Sequence, residues 1–299
     1  MRCCRVLFVL SLVAGERQRA YSSHMAACDN LFIDVGANVG DSLVRWYNEP
    51  NCYEACPAKG QSQCIPTDVT TGQIKWPGNC TFCQMQAKYK QCAWEFPWWL
   101  ASSHRRTFCA QAFEPNPLLS RKLHHQATAL RRQGVAPHIS VHNGTAMSVT
   151  DGTATFGIDS EFTTGSSLIL DKKVMGSDGR PGRGAAVGRQ RATVRTIDAV
   201  RYLRSLKAKT IALKIDVEGS EFELLRDLIA SGVLCERVDH LWVEWHGNGR
   251  IDYKKLGLPD KEGDLADMYR WMFRSMQGRF VTTPERRSPH CRTILMQWA

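Results

Sequence analysis

The sequence predicts an α/β fold: a mostly parallel sheet with helices on both faces, into which a cysteine-rich segment is inserted. Three observations predict it. Short apolar runs alternate with helix-like stretches along most of the chain, the pattern of strands joined by crossover helices. Four of those runs end on polar residues, at Asp34, at Glu114, at Asp216 and at Glu244 with His246. In an open sheet, ligands bind beyond the carboxyl ends of the strands, so these four ends converge on one crevice. Finally, Asn48 to Arg106 breaks the alternation with six cysteines, five prolines, four tryptophans and no sustained period.

The elements follow in order. Arg2 and Arg5 precede the apolar run Val6 to Val13, and small Ala14 and Gly15 follow it, so 1–15 reads as a secretory signal peptide. Arg17, Arg19, Ser22 and Ser23 leave a transit peptide as the competing reading. No apolar run approaches the ~20 residues that span a bilayer. The domain proper is taken as 25–299. Leu31 to Val35 is a strand, Gly36 to Gly40 a tight turn and Asp41 to Tyr47 a helix. Residues 48–106 form the insertion. Phe108 to Phe113 is a strand, Asn116 to Gln133 a helix, His138 to His142 a strand and Thr153 to Ile158 another. Residues 176–192, starting with the Gly/Arg run Gly176 to Gly184, contain little that could be buried and are expected to be a flexible basic loop. The alternation then resumes, with strands at Thr193 to Ile197, Thr210 to Ile215 and Val238 to Glu244 and helices at Asp198 to Ser205, Ser220 to Ala230 and Gly263 to Met276. Arg279 to Thr282 and Arg292 to Trp298 close the chain as a hairpin that adds an antiparallel strand.

Charge and cysteine usage narrow the function. The net charge is +10, and residues 171 to 209, with eleven Lys or Arg against three Asp, carry +8 of it. This favours a local anionic contact over a generally basic surface, a solvated loop being the plain alternative. Of twelve cysteines, Cys52, Cys56, Cys64, Cys80, Cys83 and Cys92 cluster in the insertion. Behind a secretory leader they are expected to form three disulfides, although Cys52-x3-Cys56 and Cys80-x2-Cys83 have spacings that zinc could use. Cys28 and Cys109 precede the ends of neighbouring parallel strands by similar distances and are expected to bond. Cys235 and Cys291 flank strands expected to run antiparallel and should stay unpaired with each other. Two sequons, at Asn79 and Asn143, are compatible with lumenal passage.

The chemistry-bearing residues sit at the strand ends. Asp34-Val35-Gly36-Ala37-Asn38-Val39-Gly40 is a turn through which a ligand can approach the backbone at a helix amino terminus. Asn38 tolerates a left-handed conformation better than most residues. Glu114 can accept both hydroxyls of a ribose, and Asn116 caps a helix ahead of Pro117. Alternation puts Lys214 and Asp216 on one face of a covered strand, where two charges are either paired or functional. Asp216 is placed where it orients an acceptor or receives its proton. Glu218 either joins it or favours the positive end of the following helix. His246 is the candidate base, because its ordinary pKa suits removal of a hydroxyl proton. A metal site from Asp216, Glu218, Glu244 and His246 lacks compact ligand spacing and is not expected.

Together with Lys214-Ile215-Asp216-Val217-Glu218-Gly219, its most specific run, these motifs resemble the FkbM-type family of S-adenosylmethionine-dependent methyltransferases over Leu31 to Tyr47 and Cys109 to His246. The resemblance implies the class I methyltransferase fold, with a Rossmann-like seven-stranded sheet whose last strand is reversed, and methyl transfer to a hydroxyl oxygen. It implies that Asp34, Gly36, Asn38 and Gly40 flank the methionine part of S-adenosylmethionine, that Glu114 holds its ribose and that Ala146 lies near its adenine. The cysteine-rich insertion and the basic loop depart from the family.

The expectation is therefore an O-methyltransferase of the secretory pathway, with no membrane span, acting on a glycan or other small polyhydroxyl acceptor, an anionic one included. A secreted binding protein that keeps the fold without turnover, and an RNA methyltransferase using the basic segment, are the rivals. The leader disfavours nucleic acid.

Overall fold

The structure is a computed structural model that describes residues 28–49, 100–158, 166–168, 190–244 and, as backbone only, 173–175, 181–186 and 294–298. Outside the described residues lie the leader, the insertion's six cysteines and its tryptophans, the sequon at Asn79 and, of the basic segment, 176–180 and 187–189. His246, Cys291, the helix expected at Gly263 to Met276 and the strand expected at Arg279 to Thr282 lie outside them as well.

Among the described residues the main sheet has six strands, β1 (Asn30–Val35), β2 (Cys109–Glu114), β3 (Ile139–Asn143), β9 (Thr210–Ile215), β10 (His240–Glu244) and β11 (Ile294–Trp298). They are all parallel and lie in the order β11-β10-β9-β1-β2-β3. Period-two alternation divides their side chains between two cores. Leu31, Ile33 and Val35, with Ile211, Leu213, Ile215, Leu241 and Val243, face helices α4 (Ala199–Ser205), α5 (Glu221–Ala230) and α6 (Val233–Arg237). Phe32, Ala110, Ala112, Ala212 and Trp242 face α1 (Asp41–Asn48) and α3 (Ser120–Arg132). Small residues on this second face make room for large ones. Trp46 stacks on Phe32 with ring centroids 4.0 Å apart and meets Phe108 and Trp242 edge-on.

Two shorter sheets lie apart from the main one. In the first, β8 (Gln190–Asp198) pairs parallel with β4 (Thr145–Ser148) and antiparallel with β5 (Gly152–Ile158). The alternation at Thr193 to Ile197 that suggests a strand of the main sheet belongs to this one, whose inner face packs Ala146, Phe156, Ile158 and Val194. In the second, β6 (Lys173–Met175) pairs antiparallel with β7 (Pro181–Ala186). Part of the segment expected as a flexible loop is thus a strand, because backbone pairing needs no buried side chain.

The other corrections concern the insertion and the last strand. The short helix α2 (Ser102–Arg105) belongs to the core: Arg105 is fully buried and donates to the carbonyls of Arg45 and Glu49 at the end of α1. Its neighbour Arg106 donates to Tyr47 O. Leu100 is buried as well, so that it and Arg105, which the sequence reading places within 48–106, pack with the core. At the other edge β11 runs parallel to β10, with Ile294 level with His240, which overturns both the terminal antiparallel strand and the reversed last strand. Cys235 is disulfide-bonded, to a partner outside the described residues. The antiparallel arrangement that kept it apart from Cys291 does not exist. Cys28 and Cys109 are bonded as expected, with Cα atoms 6.0 Å apart, and tie the start of β1 to β2.

Candidate functional site

The glycine turn owes its shape to crowding between two strand ends. Gly36 and Ala37 both donate to Phe113 O at 3.0 Å, and Asp216 N donates to Val35 O at 2.9 Å, so the turn is clamped between β2 and β9. Gly36 has φ +84°, and a Cβ there would lie 1.7 Å from the Asp216 carbonyl oxygen. Only glycine fits. Asn38 is left-handed at φ 50°, as its side chain allows.

Glu114 ends β2 beside this turn. One carboxylate oxygen accepts from Asn38 N and the other from Asn116 N, both at 2.7 Å. Burial pushes its pKa up to about 7 despite these bonds. Asn116 is fully buried and accepts from Leu118 N, capping a 3₁₀ turn at Pro117–Leu119 rather than α3 itself.

Under the turn lies an ion triad. Lys214 Nζ is 2.9 Å from Asp216 Oδ2 and 3.5 Å from Asp34 Oδ1, and Ser42 Oγ donates to Asp34 at 2.5 Å. Lys214 is almost completely buried, and the two aspartates and Glu244 hold its pKa above the usual lysine value against the desolvation that lowers it. Burial raises the pKa of Asp34, and Lys214 opposes that.

These ends open onto a cleft that is partly open to solvent. Of the sequence-predicted residues it brings together Gly36, Asn38, Glu114, Ala146, Asp216 and Glu218. Asp34 lies below the cleft as the base of the triad. Gly40, at φ +94°, precedes α1 where a Cβ would press to 3.2 Å on Leu123 and Gln126 of α3, so helix packing requires it. Glu218 stands in a left-handed turn before α5, not in the helix. The residue at the helix start is Glu221, fully buried, which accepts from Val217 N and Gly219 N and so fixes the Asp216 to Gly219 turn.

Glu244, one of the four strand ends expected at the crevice, lines the cleft, and because Val243 is level with Ile215 it emerges beside Asp216. Other lining residues escaped the sequence reading. The apolar wall is Phe113, Met147, Phe156 and Leu168, the last two brought in by the β4-β8-β5 sheet and the segment 166–168. That segment reaches both sides of the cleft: Ser166 Oγ accepts from Asn116 Nδ2 at 3.2 Å and Ser167 Oγ donates to Glu218 O at 2.8 Å. Two serines in a stretch without period offered no signal; only the antiparallel bridge of Ser167 to Gly157 sets them there. Among the described residues, no three His, Cys, Asp or Glu side chains converge to hold a metal ion.

No curated protein and no solved structure matches the chain. A family model described as the methyltransferase FkbM domain matches residues 89–278, from before β2 to beyond β10, leaving β1 and its turn to be joined to the site by the structure. The match takes in 190 of the 299 residues, and the chain belongs to the FkbM methyltransferase family.

Proposed function

We propose that the protein is an S-adenosylmethionine-dependent O-methyltransferase whose acceptor is a hydroxyl of a glycan or another polyhydroxyl compound. The observation that carries this reading is the meeting of Glu114, Asn38 and Asp216 in one cleft from three neighbouring strand ends. The residues fit the cofactor. Asn38 Oδ1 is buried without a hydrogen-bond partner, an acceptor that a donor of the ligand would satisfy. Glu114 is already oriented by two backbone amides and can take the two ribose hydroxyls, while Ala146, Met147, Phe156 and Leu168 offer an apolar face for a purine.

Bound S-adenosylmethionine supplies an electrophilic methyl group on a sulfonium. The chain's residues hold the acceptor to it. Lys214 Nζ holds the Asp216 carboxylate at 2.9 Å, so that its other lone pairs are turned to receive a hydrogen bond from the acceptor hydroxyl and align the oxygen. Glu218 lines the same side of the cleft and holds neighbouring hydroxyls. His246, two residues beyond Glu244 in sequence, removes the proton as the bond forms. Glu114, Asp216, Glu218 and Glu244 make the described lining acidic, which suits a cationic cofactor and an uncharged acceptor hydroxyl.

The disulfide of Cys28 and Cys109, and that of Cys235, support maturation in an oxidising compartment, and with the leader they favour the secretory lumen. Calorimetry with S-adenosylmethionine and its demethylated product tests the cofactor. Transfer of a labelled methyl group to a panel of saccharides tests the acceptor. Replacement of His246 by alanine should slow transfer ~100-fold or more with cofactor affinity kept, since loss of a proton acceptor costs about that much. Failure to bind either nucleoside would sink the reading.

A further inference from the structure

Helix α3 carries a charge pattern that the methyl-transfer site does not use. Its exposed residues include Arg121, Lys122, His124, His125, Arg131 and Arg132, and from Pro115 to Thr150 the chain has no Asp or Glu. At 100° per residue, Arg121, His125 and Arg132 fall in one line along the outer face, with Lys122 on one side and His124 and Arg131 on the other. The line is about 16 Å long at 1.5 Å per residue. Its apolar side, Leu123, Ala127 and Leu130, is spent in the core.

Three cations elsewhere on the described surface have acidic partners: Arg201 faces Asp151, Arg204 faces Glu236 and Lys209 faces Asp29. Those of α3 make no ion pair among the described residues. The elements packed on it are α1, whose Asp41 bonds none of them, β3, whose Asn143 approaches His124, and the 3₁₀ turn Pro117–Leu119, which has no acid. Helix stability does not account for the arrangement either. Arg131 and Arg132 suit the negative carboxyl end, but Arg121 and Lys122 stand in the first turn, where they oppose the helix dipole.

We infer that the exposed face of α3 is a docking surface for a linear polyanion, and specifically for a sulfated or carboxylated polysaccharide. Charge complementarity and the length of the line match several successive anionic groups on an extended chain. A membrane surface is a poorer match, because the helix has no outward apolar residue to insert. Nucleic acid is a poorer match, because the face carries no Phe, Tyr or Trp to stack bases and, on the lumenal reading above, the compartment holds glycans. The helix begins five residues after Pro115, which lines the cleft, so a polymer held here is anchored apart from an acidic pocket that would itself repel it.

The test is direct binding of the mature full chain to a heparin fragment, with a single-stranded oligonucleotide and anionic phospholipid vesicles as competitors. Exposed ion pairs contribute a few-fold each, so Arg121→Ser, Lys122→Ser, Arg131→Ser and Arg132→Ser combined should weaken heparin binding by about tenfold or more. Arg121→Lys, Arg131→Lys and Arg132→Lys combined should retain it. Arg180→Ser, Arg183→Ser and Arg189→Ser, in the other basic segment, should change it less than about twofold by the same reasoning. Arg131→Gln with Arg132→Gln is the milder form if the fourfold variant does not fold. Parental affinity in the α3 serine or glutamine variants, a larger loss in the Arg180 set, or displacement of heparin by the oligonucleotide or vesicles at equal charge overturns the assignment. None of these readouts depends on methyl transfer, so the docking surface and the proposed activity fail separately.

Discussion

Acidification should weaken cofactor binding through Glu114. Its pKa is about 7 in the folded protein without ligand, and a carboxylate that accepts two ribose hydroxyls must be ionised. If only the ionised form binds, the apparent dissociation constant rises as 1 + 10^(pKa − pH), so affinity is near its limit at about pH 8, falls ~10-fold by about pH 6 and ~100-fold by about pH 5. The same group links to folding. Because the folded pKa lies above the ordinary 4.5, the folded state binds more protons than the unfolded one between about 4.5 and 7. Glu114 therefore subtracts stability as pH rises through that window, by about 3 kcal/mol at its end. Ligand should offset that loss. The assay is calorimetry with 5′-methylthioadenosine, which keeps the ribose and lacks the amino-acid groups, repeated in two buffers of different ionisation enthalpy to count protons released. Glu114→Gln should bind more weakly and lose the pH dependence, and Glu114→Ala should cost roughly 1.5 to 3 kcal/mol, the worth of hydrogen bonds to a charged group. A flat affinity between about pH 6 and 8, or proton uptake on binding, would refute the reasoning.

Other outcomes follow from the same geometry. Lys214→Met leaves Asp34 and Asp216 without their buried cation and should destabilise the fold by about 3 to 5 kcal/mol in denaturant titration, with part recovered by adding Asp34→Asn. Gly36→Ala should abolish accumulation of folded protein, since its Cβ would overlap the Asp216 carbonyl; recovery of a cofactor-binding variant in gel filtration would contradict the clamp. Cys235 is bonded, and in the parallel register Cys291 lies three positions before Ile294, whose partner His240 follows Cys235 by five, so mass spectrometry of an unreduced digest should join the Cys235 and Cys291 peptides.

Much of the site was legible because each strand end announces itself locally. An apolar run stopping at Asp34, Glu114 or Asp216 is a pattern within seven residues, and parallel topology then requires that the ends meet. What could not be read is whatever depends on a neighbour distant in sequence. Gly40 and Gly36 look alike in the sequence, yet one is dictated by α3 and the other by β9. Glu218 and Glu221 are both acids near a helix start, and only the left-handed turn separates the one that lines the cleft from the one that pins the loop.

The sequence by itself determined the alternating α/β architecture, the cleft at the carboxyl ends and the bond between Cys28 and Cys109, because period and spacing survive any arrangement of the remaining chain. Tertiary structure alone decided that Thr193 to Ile197 joins a separate sheet, that β11 lies parallel at the edge and that Phe156, Ser166 and Leu168 close the cleft. A strand carries the same side-chain alternation in either direction and in any sheet. Its partner is selected only by the surface left unpaired once the other elements have packed.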